Sequence, residues 1–282
     1  MERLQPYAWV LQRLVLDAPF EMVRRTVPFT QAFKVAELDD YLLNLPLKNG
    51  HRDHIPKEVP RLLRRWLALM DRFVVSTAPL AEAMAGLHPD IRVVPNRLPP
   101  DRWGRLASLR RQGRRPRVGW AGGVGHQGDL ELIADVVKAL ADEVEWVFLG
   151  MCPEPMRRYL HEYHVPVAIE AYPAKLASLN LDLALAPLEH NIFNDCKSNL
   201  RLLEYGACGY PVVCSDVTPY QGDLPVTRVK NRYKDWVDAI RMHLADLDAT
   251  AAAGDALRDA IRRDWMLEGP HLSDWLHAWL PG

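Results

Sequence analysis

The chain is 282 residues long, 49% apolar, and carries 35 lysines and arginines against 36 aspartates and glutamates. That balance supplies no overall field to gather nucleic acid or an anionic bilayer, so neither is expected as a partner on global charge, and only a local patch could serve. No stretch reaches the length of a bilayer span, and Cys152, Cys196, Cys208 and Cys214 form neither a C-x-x-C pair nor a histidine-linked metal spacing, which fits a reducing, cytoplasmic location without zinc.

In chain order, WVLQRL, a helix near 18–27, FKVAEL, a helix near 57–70, RFVVS, a helix from Pro79 and IRVVP read as four strands alternating with helices. Residues 1–100 are expected to form a small or incomplete Rossmann-like domain. Residues 101–117, DRWGRLASLRRQGRRPR, lose apolar periodicity and gain arginines, so they read as the linker. The arginines suit a solvated connector, or alternatively a contact for an anionic acceptor or a membrane face.

From residue 118 the chain alternates again: RVGWA, a Gly-rich turn, the helical pattern DLELIADVVKALADE, the strand VEWVFLG, helix-like PEPMRRYLHEYH, the strand PVAIE, DLALAP, one amphipathic helix and PVVCS. Strands that are continuously apolar predict a parallel sheet covered on both faces, and 118–262 read as a second, doubly wound domain. Residues 263–282 place Trp and Leu at helical spacing, predicting a helix that packs back on the first domain.

Two features of the second domain carry chemistry. GWAGGVGHQGD, residues 119–129, has glycines at 122, 123 and 125 that would let the backbone approach a phosphate. It lacks the G-x-G-x-x-G spacing, so a phosphate loop and a plain tight turn both fit. NDCKSNLRLLEYGACGYPVVCSD, residues 194–216, sets Lys197 where a helix should begin. A helix start is partly positive, so a cation there needs an anion nearby, either Asp195 or a ligand. With the helix starting near Ser198, Lys197 and Glu204 share one face about 10 Å apart. That spacing suits a nucleoside diphosphate, the cation on phosphate and the carboxylate on ribose hydroxyls. An ordinary amphipathic helix, with Asp195 as N-cap and Gly209 at its end, fits the same residues.

The run DLALAPLEHNIFNDCKSNLRLLEYGACGYPVVCSDVTPY, with GWAGGVGHQGDLELI, VVSTAPLAEAM and IRVVPNRLPPDRW, resembles the GT-B glycosyltransferases of the family 4-like group. The resemblance implies an α/β fold of two Rossmann-like domains facing across a cleft, an acceptor domain, here shortened to residues 1–100, and a donor domain over 118–262. It implies transfer of a sugar from a nucleoside-diphosphate sugar to an acceptor hydroxyl, with retention of configuration and without cofactor or metal. Glu204 matches the second glutamate of the group's E-x7-E motif, which holds the ribose. The first glutamate would fall on Cys196, so the donor-sugar carboxylate is missing or replaced by Glu189 or Asp195.

By the same resemblance, His126, Lys197 and Arg201 are the expected catalytic group. Gly122, Gly123, Glu189, Ser198, Asn199, Leu203 and Glu204 are expected around the donor. The implied partners are a nucleotide sugar and a glycan or glycoconjugate acceptor, as in surface polysaccharide synthesis. Contact with the inner membrane face, and a partner chain or further N-terminal sequence, are additional expectations. Asp39 and Asp40 lack the spacing of a D-x-D metal pair and are expected to line the cleft or serve the fold. The alternatives are a nucleotide-sugar-binding subunit without transfer activity and, further off, a sugar-nucleotide epimerase.

Overall fold

The computed structural model describes residues 6–13 and 17–282. The first half is a parallel sheet of β1 (Ala8–Gln12), β2 (Phe33–Leu38), β3 (Arg72–Val75) and β4 (Ile91–Val93), paired in that order. The helix Val59–Leu67 begins with Pro60 in its first turn, where the missing N–H costs nothing, and turns Leu63, Trp66 and Leu67 onto the sheet. These side chains build one core with Phe20, Leu38 and Phe73.

The second half is a six-stranded parallel sheet of β5 (Arg117–Gly122), β6 (Glu145–Gly150), β7 (Glu162–His164), β8 (Leu183–Ala186), β9 (Val212–Ser215) and β10 (Thr227–Val229). Its order is β10-β9-β8-β5-β6-β7. The chain runs outward from β5 to β7 and returns on the other side of β5 with β8, which makes a topological switch point between β5 and β8. Alternate residues of each strand feed opposite faces. Trp120, Trp146 and Phe148 enter one core cluster, Ala121, Val147 and Leu149 the other.

Some elements differ from the expected ones. In PEPMRRYLHEYH only Glu154–Arg157 is helical, and Glu162–His164 is β7. The apolar run PVAIE is not a strand: Pro166 offers no N–H to a ladder, and Val167 and Ile169 are exposed. The helical pattern over 129–143 divides into Gln127–Glu131 and Ala134–Ala139. The edge strand β10, TRV, has no apolar run to announce it.

The Arg-rich segment 101–117 is not where the chain passes between the sheets. Val94 packs in a cluster of the first half and Leu98 in the core of the second, so the crossing lies at Pro95–Arg97. Leu98 then pairs with the returning chain, taking the Trp265 carbonyl at 3.0 Å and giving its own to the Leu267 N–H at 2.9 Å. The arginines beyond it bind their own half. Arg110 pairs with Asp255 at 2.7 Å, Arg111 pairs with Asp248, and Arg115 donates to the carbonyls of Ala141 and Asp142. Trp103, in the same segment, is buried in the second core.

The helix Pro270–Trp279 returns to the first half, where Ala278 and Trp279 pack against Val35 and Val74. The last carbonyls of a helix have no intrahelical donor. Here the buried Arg72 of β3 serves them: its Nη1 donates to the carbonyls of His277, Ala278 and Leu280 at 3.0, 3.0 and 2.9 Å, and its Nε to Asp90 at 2.8 Å. Among the described residues, no helix is long and apolar enough to cross a membrane. Arg72→Ala strands the carbonyls of Ala278 and Leu280 and leaves the Asp90 carboxylate to Arg92, which it meets at 3.0 Å. It should lower stability by about 2–4 kcal/mol, read as a lower urea midpoint at unchanged m-value.

Candidate functional site

A cavity of about 360 Å³ opens beyond the carboxyl ends of β5 and β6. Gly122, Gly123 and Gly150 form its backbone floor, Arg201 and Glu204 its polar wall, and Leu149, Pro166, Val167 and Ile169 an apolar wall. Glycine is required at 122: a Cβ there would sit 2.8 Å from both terminal nitrogens of Arg201 and 2.6 Å from the Trp120 ring. Gly150 adopts φ +96°, and a Cβ on it would strike the Gly122 carbonyl. Two glycines at adjacent strand ends thus leave room for a guanidinium against bare backbone.

Arg201 and Glu204 stand one turn apart on the helix Leu200–Ala207, which Gly209 closes at φ +79°. Arg201 donates through Nη1 to the Ala121 carbonyl, places Nη2 2.9 Å from His126 Nε2, and lies 5.1 Å over the Trp120 ring. Its anchors are a carbonyl, an imidazole and an indole face; among the described residues no carboxylate is ion-paired with it. Burial, with Arg201 alongside, pushes the His126 imidazole down to about 4, so it is neutral at ordinary pH. The other ring nitrogen, Nδ1, lies 2.7 Å from Asp129. Glu204 accepts from the Tyr172 hydroxyl at 3.2 Å. Burial raises its carboxyl to about 7, although Arg201 and Tyr172 pull the other way.

The segment before this helix behaves differently from its expected reading. Asn191 caps a separate turn, Ile192–Asp195, by accepting from the Asn194 N–H at 2.9 Å, so Asp195 ends one helix instead of capping the next. The main helix starts at Leu200, and Lys197 lies ahead of it. The anion beside Lys197 is Asp40 of the first half, at 3.3 Å, and its ammonium sits 4.4 Å over the Phe193 ring. Thr77 donates to the Cys196 carbonyl at 2.8 Å, and Asn96 to Ser198 Oγ at 2.9 Å. Phe193 and Cys196 are buried in the core of the first half. Asp39 is held by Arg13 at 2.6 Å.

Of the expected site residues, Gly122, Gly123, Arg201 and Glu204 therefore meet in one cavity, with His126 directly behind Arg201. Lys197 and Ser198 stand toward the first half, and neither they nor Asn199 are in the cavity wall. Glu189 lies against Gly128, and burial together with Asp129 raises its carboxyl; it is not in that wall either. Leu203 is not in that wall. It neighbours Glu204 in sequence, but a one-residue step turns about 100° around a helix, and Leu203 is fully buried in the core. Asp129 and Tyr172 escaped the sequence reading. The i, i+3 spacing of His126 and Asp129 could have pointed to the first; nothing in the sequence ties Tyr172 to Glu204.

The raised Glu204 carboxyl has a stability consequence. Its native value of about 7 lies above the ordinary 4.5, so the native state holds a proton that the unfolded chain gives up. The associated stability is full below the unfolded value and is lost as pH rises through about 7. Glu204→Gln should raise the melting temperature at about pH 8 by about 2–4 °C, with the gain vanishing near about pH 4, as calorimetry at the two pH values can read.

No protein-family model matches the sequence, and no curated protein matches it in sequence. Solved structures do match its fold. Sucrose-phosphate synthase from Thermosynechococcus elongatus aligns at TM-score 0.67 and 15% identity, over 92% of this chain and 70% of that one. HepE from Anabaena, in complex with UDP, aligns at 0.62 and 13%, over 92% and 76%. WaaG, a glycosyltransferase involved in lipopolysaccharide biosynthesis, aligns at 0.61 and 13%, over 92% and 82%. At these identities the likeness establishes the fold: two Rossmann-like halves in the GT-B arrangement.

Proposed function

We propose that the chain is a glycosyltransferase that takes its sugar from a nucleoside diphosphate bound in the cavity at Arg201 and Glu204. The observation that carries this reading is the guanidinium of Arg201, set against glycine backbone and held only by neutral groups. A cation so placed lacks its anion, and a diphosphate supplies one with geometry suited to a fork of N–H donors. Glu204, one turn along, suits the paired hydroxyls of a ribose, and the apolar wall of Leu149, Pro166, Val167 and Ile169 suits the flat face of a base. The UDP held by HepE, which shares the fold, agrees with that ligand class.

In the transfer, an acceptor hydroxyl attacks the anomeric carbon and negative charge grows on the leaving diphosphate. Donors already aimed at that charge stabilise the transition state more than the ground state. Arg201 supplies this in the cavity, and Lys197 adds a second cation once it exchanges Asp40 for phosphate. With two such cations the chemistry needs no divalent metal. Retention of configuration and a glycan or glycoconjugate acceptor rest on the sequence resemblance, and the acceptor would enter from the first half.

One observation favours a second reading, a nucleotide-sugar-binding subunit without transfer activity: Cys196, where the resemblance puts a donor-sugar carboxylate, is buried in the first half. Incubation of the purified chain with nucleotide sugars and a panel of glycan acceptors separates the two, since only the transferase yields a glycosylated product. Calorimetric titration with UDP, GDP, CDP and dTDP tests the site itself. Arg201→Ala should weaken the bound diphosphate by about 10- to 100-fold while changing affinity for the parent nucleoside little. Equal losses for both ligands would refute the phosphate role. Diphosphate affinity should also rise with pH through about 7, as Glu204 becomes a carboxylate able to accept from ribose.

A further inference from the structure

Asp129 is 3% exposed and lies in the short helix that follows the Gly-rich turn. Its Oδ2 is 2.7 Å from His126 Nδ1, while Oδ1 accepts from the Glu189 N–H at 2.8 Å and from Asn194 Nδ2 at 3.1 Å. At the far side of the imidazole, Nε2 faces Arg201 Nη2 at 2.9 Å. We infer that Asp129 is a positioning residue: it holds His126 with its hydrogen on Nδ1, so that bare Nε2 accepts from Arg201 and aims that guanidinium into the cavity.

The assignment follows from donor and acceptor capacity. An ionised carboxylate only accepts and a guanidinium only donates, so an imidazole between them must donate at one end and accept at the other. Hydrogen on Nδ1 satisfies both contacts. Hydrogen on Nε2 would set donor against donor at Arg201 and leave the buried Asp129 oxygen without its partner. A charged imidazole fails in the same way at Arg201, and its depressed basicity agrees. The orientation of Arg201 is thereby fixed from β5 and from the turn after it, since its other anchor is the Ala121 carbonyl within β5. Two of its five N–H groups are used on these anchors, leaving the others for a ligand anion.

Asp129→Asn is the informative change. The amide oxygen can still take the Glu189 and Asn194 hydrogens, but its NH2 group then faces His126 Nδ1 and drives the ring hydrogen to Nε2. Nitrogen-15 NMR of the imidazole should show hydrogen on Nδ1 in the wild type and on Nε2 in the variant. The ligand readout rests on the proposed function. With whichever of UDP, GDP, CDP or dTDP binds, Asp129→Asn should weaken affinity about tenfold, and by less than about twofold in a His126→Ala background. A wild-type imidazole with hydrogen on Nε2 overturns the inference, and this readout stands even if Asp129→Asn does not fold. An equal loss in both backgrounds also overturns it, because Asp129 would then be acting only through the fold. A wild type that binds none of the four nucleotides, yet carries hydrogen on Nδ1, refutes the proposed function and upholds the tautomer assignment.

Discussion

Phe193 belongs to the second half by sequence and to the first by packing. Its ring, with Cys196, is buried in the cluster built on Leu63, Trp66 and Phe73, and returning a side chain of that size to water costs about 1.5–3 kcal/mol. The segment lies between β8 and the helix that carries Arg201 and Glu204, so this packing registers that helix against the first half. Thr77 on the Cys196 carbonyl and Asn96 on Ser198 complete the attachment. Lys197–Asp40 and Lys48–Glu131 also span the halves, but partly exposed ion pairs contribute little on their own. The cleft is held mainly by an apolar plug.

Against that fixed frame the cavity keeps two electrostatic debts. Arg201 has neutral partners where a buried cation would ordinarily have a carboxylate, and Glu204 sits where burial disfavours its charge. The two stand one turn apart on the same helix, yet each is held by a third group, His126 for one and Tyr172 for the other. A direct ion pair would relieve both and close the wall. Keeping them apart leaves an acceptor and a set of donors turned to the same cavity, an arrangement that suits a ligand better than it suits the empty protein.

How much of this was legible in the sequence depended on how local the cause was. Strands β5, β6, β8 and β9 announce themselves as apolar runs because both their faces are covered. The edge strands β7 and β10 are three residues each and carry Glu162, His164 and Arg228, so no periodicity marks them. Gly122 and Glu204 could be read because glycine content and helical spacing are short-range signals, whereas Arg201 entered only through the family resemblance. The partner of Lys197 could not, since Asp40 lies 157 positions away and Asp195, two positions away, is the anion that sequence offers. The Arg-rich segment misled for the same reason. Its composition suggests a connector, whereas the acids and carbonyls that fix Arg110, Arg111 and Arg115 lie far along the chain and come together only in the folded second half.

Cys196 brings these themes together. The backbone there is pinned by Thr77, and the side chain lies among the apolar residues of the first half, where a carboxylate would lose its hydration without gaining a partner. A glutamate at this position would therefore work against the plug that joins the halves. The position serves either the attachment or a sugar, and in this chain it serves the attachment. In the proposed reaction the sugar hydroxyls must then be met from other elements bordering the cleft, the carboxyl end of β8 or the rim of the first half. The diphosphate end of the donor is affected far less, because Arg201 takes its orientation from β5 and the turn after it, on the other side of the switch point from the plug.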